Sequence, residues 1–283
     1  TGNFPARRVV LVGMNTILVT GATGNVGRPL VHRLLTAGAY VRAVTRSGDR
    51  AGFPPEVRTV PSAADGMSGA DAVFLNSRAL IGELEATVDL ARAHGVAKLV
   101  ALSAINADDD DARQPSRVRG DRNRECEQVA VDSGLRWVSL RPSVFASNFA
   151  GMWAPQLCTG DVVSGPYADA ATAVIAEPDI ADVAAVALLS DDLDGQRIPL
   201  TGPQSLTNTE LVAAIGTVLR RDLSYHEVPP QLVRERFVAL GFPAAFADAY
   251  IGLLERGVGQ PAVVTDDIER ILGRPATPFT AWL

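Results

Sequence analysis

Apolar residues along this chain fall into short clusters whose internal spacing alternates between two periods. Continuous or alternating apolar runs at residues 17–19, 40–45, 57–60, 71–76, 97–102 and 135–140 predict strands, the continuous ones buried on both faces. Between them, apolar positions recur three and four residues apart. Leu30, Val31, Leu34 and Leu35 form one such stripe, and Leu84, Val88 and Ala91 form another within residues 83–94. A further helix is predicted over 121–133. Gly38, Gly95 and Gly134 close these stripes, as glycine commonly does where a helix ends. Strands alternating with helices predict an α/β fold with a doubly wound parallel sheet. Residues 67–70 read as a compressed connection. The polar segment 105–118, with its run of aspartates from Asp108 to Asp111, reads as a solvated, mobile loop.

Beyond residue 150 the pattern is less regular and predicts a smaller α+β part. Residues 160–167 hold a short strand and a Gly-Pro turn. A helix is predicted from Pro178 to Leu189 with Asp179 as its N-cap. Residues 197–201 and 224–228 read as strands. Thr207 and Glu210 have capping-box spacing ahead of a helix over 211–220, and more helices follow at 231–240, 244–255 and 266–272.

The stretch 17–27 carries the clearest chemistry. Three apolar residues lead into Gly21, Ala22, Thr23, Gly24, Asn25, Val26 and Gly27, and a helical stripe follows, with Pro29 early in the helix. Strand, glycine turn and helix in that order are what a dinucleotide site needs. The glycines allow a tight turn and close approach to a diphosphate, and the helix N-terminus meets its charge. Gly21, Thr23, Gly24, Asn25, Val26 and Gly27 are therefore the first cofactor candidates. At the end of the second strand an acid would bind the ribose 2′-hydroxyl of NAD, whereas an arginine can accept the 2′-phosphate of NADP. Arg46 stands there, so NADP(H) is expected over NAD(H). Asn76, Ser77 and Arg78 at the end of the fourth strand, and Ser103 after the fifth, complete the cofactor set, since ligands of such sheets lie outside the carboxyl ends of the strands. Residues 14–150 are assigned to this cofactor-binding part and 151–283 to an interleaved substrate-binding part. Residues 1–13 are read as an upstream extension or remnant outside the fold.

Composition narrows the setting. A net charge of −6 argues against a nucleic-acid surface. No apolar run approaches the roughly 20 residues that span a bilayer. Cys126 and Cys158 match no metal or redox spacing, so free thiols in a reducing cytoplasm and no metal are expected. The expected partner is a small molecule, bound by a monomer or homodimer. Lys98 is the only lysine in the chain.

The glycine turn, the strand Val41 to Arg46, Ser133-Gly134-Leu135, Leu140-Arg141-Pro142, residues 179–185 and Leu200-Thr201-Gly202-Pro203 resemble the NmrA-like branch of the atypical short-chain dehydrogenases/reductases. The resemblance implies a Rossmann fold and membership in a group of NAD(P)H-dependent reductases, quinone reductases and redox-sensing regulators. The wider superfamily catalyses with a serine and a Tyr-x-x-x-Lys pair, which this chain lacks: none of Tyr40, Tyr167, Tyr225 and Tyr250 has a lysine four residues on. Many NmrA-like proteins keep a lysine early in the helix before Ser-Gly-Leu; that position falls near Asn123. Ser103 stands where the superfamily serine would be, and Pro61-Ser62 replaces an acid usual near the adenine. Catalytic candidates are thus Ser103, Asn123 and Tyr167, the last in a Gly-Pro loop, with His226 a weaker alternative. Phe145, Asn148, Phe149 and Trp153 follow the sixth strand and are substrate-pocket candidates, the alternative being that the rings pack the two halves together. Three readings follow: an NADPH-dependent oxidoreductase acting on a small hydrophobic, aromatic or quinone-like metabolite; an NADP(H)-binding sensor without turnover; and a redox-neutral isomerase, dehydratase or coupling enzyme on the same fold.

Overall fold

The computed structural model describes residues 15–45 and 52–283. Arg46 lies outside the described residues, as do residues 1–13. The first half runs β1 (Thr16–Val19), α1 (Gly27–Thr36), β2 (Tyr40–Val44), β3 (Arg58–Val60), α2 (Ala63–Met67), β4 (Ala72–Asn76), α3 (Leu84–Ala93), β5 (Lys98–Leu102), α4 (Pro115–Val118), α5 (Asn123–Val131) and β6 (Arg136–Pro142). The second half runs α6 (Ala146–Leu157), β7 (Val162–Gly165), β8 (Ala171–Thr172), α7 (Glu177–Leu189), β9 (Arg197–Leu200), β10 (Leu206–Thr207), α8 (Asn208–Leu219), β11 (Ser224–Glu227), α9 (Pro230–Ala239), α10 (Ala244–Glu255), α11 (Asp267–Leu272) and α12 (Phe279–Trp282).

Seven parallel strands form the central sheet in the order β3-β2-β1-β4-β5-β6-β9. The order reverses between β1 and β4, which makes their carboxyl ends the topological switch point where ligands of such sheets bind. Alternate strand residues supply the two faces. Ile17, Val19, Phe74, Val100 and Leu140 pack with α1 and α7, whereas Leu18, Val73, Leu75, Leu99 and Ala101 pack with α2, α3 and α5. The second half contributes α7 and β9 to this core. α11 joins the same core through Ile268, whereas α6, β7, α8 and α12 form a separate cluster around Phe149, Trp153, Val163, Leu211 and Phe279. Among the described residues, no helix is long and apolar enough to cross a membrane.

Several expectations need correction. Residues 63–67 form a short helix that the sequence did not mark, and of the connection read at 67–70 it takes in only Met67. The Ser62 hydroxyl accepts the Asp65 N–H at 3.2 Å and caps it. The N-cap of α7 is Ala176, and Asp179 lies inside the helix, fully buried. Its carboxylate accepts bonds from Arg274 Nη2 at 2.7 Å, the Thr277 N–H at 2.6 Å and Thr277 Oγ1 at 2.9 Å, so it anchors the C-terminal segment. The acidic segment 105–118 is exposed at Asp108 and Asp111, as a solvated loop should be, but its acids carry defined partners. Asp108 pairs with Arg141 at 2.6 Å, Asp109 with Arg256 at 3.1 Å and Asp111 with Arg117 at 3.0 Å, while Asp110 caps a 3-10 turn at Asp111–Arg113. The buried Gln114 donates to the Asp109 carbonyl at 2.8 Å beneath it. The capping box at Thr207 and Glu210 is present as expected.

Candidate functional site

The glycine turn joins β1 to α1 at the switch point. Thr20 fixes its entry: the hydroxyl donates to the Phe74 carbonyl at 2.8 Å and accepts the Asn76 N–H at 2.9 Å, binding the ends of β1 and β4 together. Gly21 has φ +66°, and a Cβ there would lie 2.8 Å from Asn76 Nδ2. At Gly27 a Cβ would lie 2.1 Å from the Gly21 carbonyl oxygen. The turn therefore closes on itself only with glycine at these positions. Thr23, Gly24 and Asn25 are exposed at its tip, while Val26 is buried beneath. Val26 is the N-cap of α1 and provides no side-chain cap. Arg28 donates its N–H to the Gly24 carbonyl at 3.0 Å and Pro29 carries none, so the donors this terminus offers an anion are the N–H groups of Asn25, Val26 and Gly27. This chain's residues thus fit the diphosphate of a dinucleotide.

The neighbouring strand ends add to the same edge. Asn76 Oδ1 accepts the Arg78 N–H at 3.1 Å, and Ser77 Oγ accepts the Arg122 N–H at 3.0 Å. Ser103, buried at the end of β5, donates its hydroxyl to the Asn123 carbonyl at 3.1 Å. Two catalytic candidates meet here, but through the Asn123 backbone; the Asn123 amide donates instead to Ser116 Oγ at 3.4 Å. In this arrangement the Ser103 proton is engaged by the Asn123 carbonyl.

Tyr167 occupies the turn between β7 and β8 with φ +53°, a conformation that favours glycine. Asn208 holds the turn, donating to the Tyr167 carbonyl at 2.9 Å. Burial raises the Tyr167 pKa, and the Glu255 carboxylate, which takes its hydroxyl, and Glu227 raise it further. The phenol keeps its proton at neutral pH. Its partners, Glu255, Glu227 and Asn208, all lie in the second half, away from Ser103 and Asn123. His226 is exposed on β11. Lys98, buried at the amino end of β5, pairs with Asp194 at 2.6 Å and Asp191 at 3.0 Å, at the edge of the sheet opposite the glycine turn.

Phe149 and Trp153 lie on α6 and are 3% and 4% exposed. Their ring centroids are 4.9 Å apart; Phe149 also meets Phe279 at 6.0 Å, and Trp153 meets Tyr225 at 6.1 Å. Both rings are engaged in packing the second cluster. Phe145 is half-buried and bridges to Ile175, and Asn148 is exposed.

Two further residues join the second half to the glycine turn. Asn25 Nδ2 donates to Ser147 Oγ at 2.9 Å, and the Ser147 N–H donates to the buried Glu177 carboxylate at 3.0 Å. No local spacing connects residues 25, 147 and 177, so only the fold brings them together. Arg28 was equally illegible: its guanidinium stands 5.0 Å over the Phe53 ring.

A Rossmann-type sheet with a glycine cradle at its switch point defines a nucleotide-binding α/β protein. The NmrA-like family model matches residues 13–255, and the chain belongs to that family. It is 35% identical over 276 residues to (4-alkanoyl-5-oxo-2,5-dihydrofuran-3-yl)methyl phosphate reductase of Streptomyces griseus, covering 94% of this chain and 96% of the relative. It is 28% identical over 281 residues to an NAD(P)H azoreductase of Xenophilus azovorans, covering 93% and 95%. Its fold is similar to that of an NADPH-dependent quinone oxidoreductase from Escherichia coli, solved with NADPH, with a TM-score of 0.78, 20% identity, and coverage of 93% and 97%.

Proposed function

We propose that this chain is an NADPH-dependent reductase of a small, largely apolar molecule whose reducible bond is conjugated, such as a quinone or an enone. The observation that carries this reading is the cradle in which Gly27 abuts the Gly21 carbonyl and Gly21 abuts Asn76. Residues 14–150 hold the cofactor and 151–283 close the substrate side. Arg46 is assigned to the 2′-phosphate, which selects NADP(H). The bound dihydronicotinamide supplies the hydride. The chain holds the diphosphate at α1 and orients the substrate over the ends of β4, β5 and β6.

The substrate class follows from the proton inventory. A simple ketone accepting hydride becomes an alkoxide that needs a strong donor beside it. This chain has no Tyr-x-x-x-Lys pair, and its Ser103 hydroxyl is committed to Asn123. A conjugated acceptor becomes an enolate or phenolate, stable enough to take its proton from water. The names of the two relatives support that choice: one reduces an acylated unsaturated lactone and the other an azo bond.

NADPH oxidation followed by absorbance tests the reading. A naphthoquinone and an acyl-substituted unsaturated lactone are expected to drive turnover on the order of 1 s⁻¹, and acetophenone none. Tight NADPH binding with no turnover on any conjugated acceptor would contradict the reductase and support a sensor.

A further inference from the structure

The turns after β4 and before α5 bring three arginines to one carboxylate. Arg78 Nη1 lies 3.5 Å from Asp121 Oδ2, and the charges of Arg119 and Arg122 act on the same group. Arg122 is fixed at both ends. Its N–H donates to Ser77 Oγ at 3.0 Å, and its guanidinium donates to the carbonyls of Arg117 at 3.1 Å and Asp121 at 2.8 Å. Those carbonyls are neutral, so three cations share a single anion. Other arginines are compensated at close range: Arg117 meets Glu125 at 2.6 Å and Asp111 at 3.0 Å, and Arg141 meets both Asp108 and Glu127 at 2.6 Å. Burial raises the Asp121 pKa against the pull of Arg78, Arg119 and Arg122. The carboxylate is the recessed member, with its side chain 19% exposed against 49% for Arg78, and the guanidinium side faces outward.

The place of this cluster matters as much as its charge. Ser77 directly follows β4, whose Asn76 leaves no room for a Cβ at Gly21, and Asn123, next to Arg122, receives the Ser103 hydroxyl. The excess positive charge therefore lies on the carboxyl edge of the sheet, beside the glycine cradle. Ile81, 67% exposed, lies alongside; a Cβ on Gly120 would be 3.7 Å from its Cδ1.

We propose that Arg78, Arg119 and Arg122 form a subsite for a terminal oxyanion, a phosphate monoester or carboxylate, on the molecule this protein reduces. The guanidinium fork is matched to such groups, and the adjoining Ile81 suits an apolar portion. The cofactor diphosphate has its own donors in the glycine turn, so this cluster, including Arg78, which the sequence placed with the cofactor, is assigned to the substrate. The substrate assignment rests on the reductase reading; the anion subsite itself does not.

Titration calorimetry of phenyl phosphate into the full chain, with and without saturating NADPH, tests the subsite. Saturable binding is expected in both conditions, weakened by salt and absent for phenol. Arg119→Gln with Arg122→Gln is expected to weaken it at least tenfold, while NADPH affinity, read from nicotinamide fluorescence in the same samples, is retained. Asp121→Asn removes the competing anion and is expected to tighten binding by about tenfold, a gain that misfolding could not mimic. Equal affinity in all three proteins would overturn the proposal. Loss of phenyl phosphate binding on adding NADPH would also overturn it, by giving the cluster to the cofactor. Failure of NADPH itself to bind would instead contradict the reductase reading.

Discussion

Gly27→Ala is expected to abolish dinucleotide binding. The new Cβ would lie 2.1 Å from the Gly21 carbonyl oxygen and 2.8 Å from the Ala22 Cα. Both neighbours are backbone, so no side-chain rotation relieves the clash and the turn itself must move. That displacement takes the N–H groups of the turn and of Gly27 away from the diphosphate. NADPH affinity is expected to fall at least ~100-fold, with a stability loss of about 1–3 kcal/mol from overpacking. Gly24→Ala is the comparison: its Cβ would meet only the Gly21 carbonyl, at 3.3 Å, so a smaller loss is expected. Fluorescence titration alongside thermal melts separates lost binding from lost fold. Wild-type affinity in folded Gly27→Ala would remove the cradle from the binding site.

Glu127→Ala is expected to cost about 3–5 kcal/mol, the range for breaking a buried ion pair from one side. Glu127 is buried on α5 and accepts from Ser139 Oγ at 2.5 Å, Arg141 Nε at 2.8 Å and Arg197 Nε at 2.5 Å. Removing it leaves Arg141 partly buried with only Asp108, and Arg197 with the face of Trp137. Burial pushes the Glu127 carboxyl up, but hydrogen bonds from Arg141, Ser139 and Arg197 outweigh it and hold the pKa at about 2, below the ordinary 4.5. The folded value is the lower one, so the unfolded chain binds the proton more readily. The stabilisation is therefore present above pH ~4.5 and is lost as pH falls through about 2, a difference on the order of 3 kcal/mol. In urea melts of wild type and Glu127→Ala, the gap seen at pH 7 should narrow by about 2 kcal/mol at pH 3. A constant gap across that range would contradict the depressed pKa.

Much of the sheet was legible because buried parallel strands are written as short apolar runs, and 17–19, 72–76 and 98–102 carry little else. The capping box at Thr207 was legible for a related reason, since both partners fall within one helical turn. What escaped lacked local punctuation. Helix α6 contains Pro155, and its rings at Phe149 and Trp153 could be read either as pocket lining or as packing between the halves; both pack in a core. Helix α2 is short and carries Gly66, so only its Ser62 cap marks it. Asp179 has the look of an N-cap beside Pro178, yet its partners lie in the C-terminal segment at Arg274 and Thr277. The candidate site divides in the same way. The glycines were visible as a motif, but the Asn25, Ser147 and Glu177 chain and the meeting of Arg78 with Asp121 depend on long-range topology.

The most direct test of the account is a titration of NADPH into the purified chain, followed by nicotinamide fluorescence, with NADH in parallel. The account predicts saturable NADPH binding with a Kd below about 100 μM and weaker NADH binding, because the 2′-phosphate is read as well as the diphosphate. No saturation by either nucleotide below about 1 mM, weaker than roughly −4 kcal/mol, would contradict it.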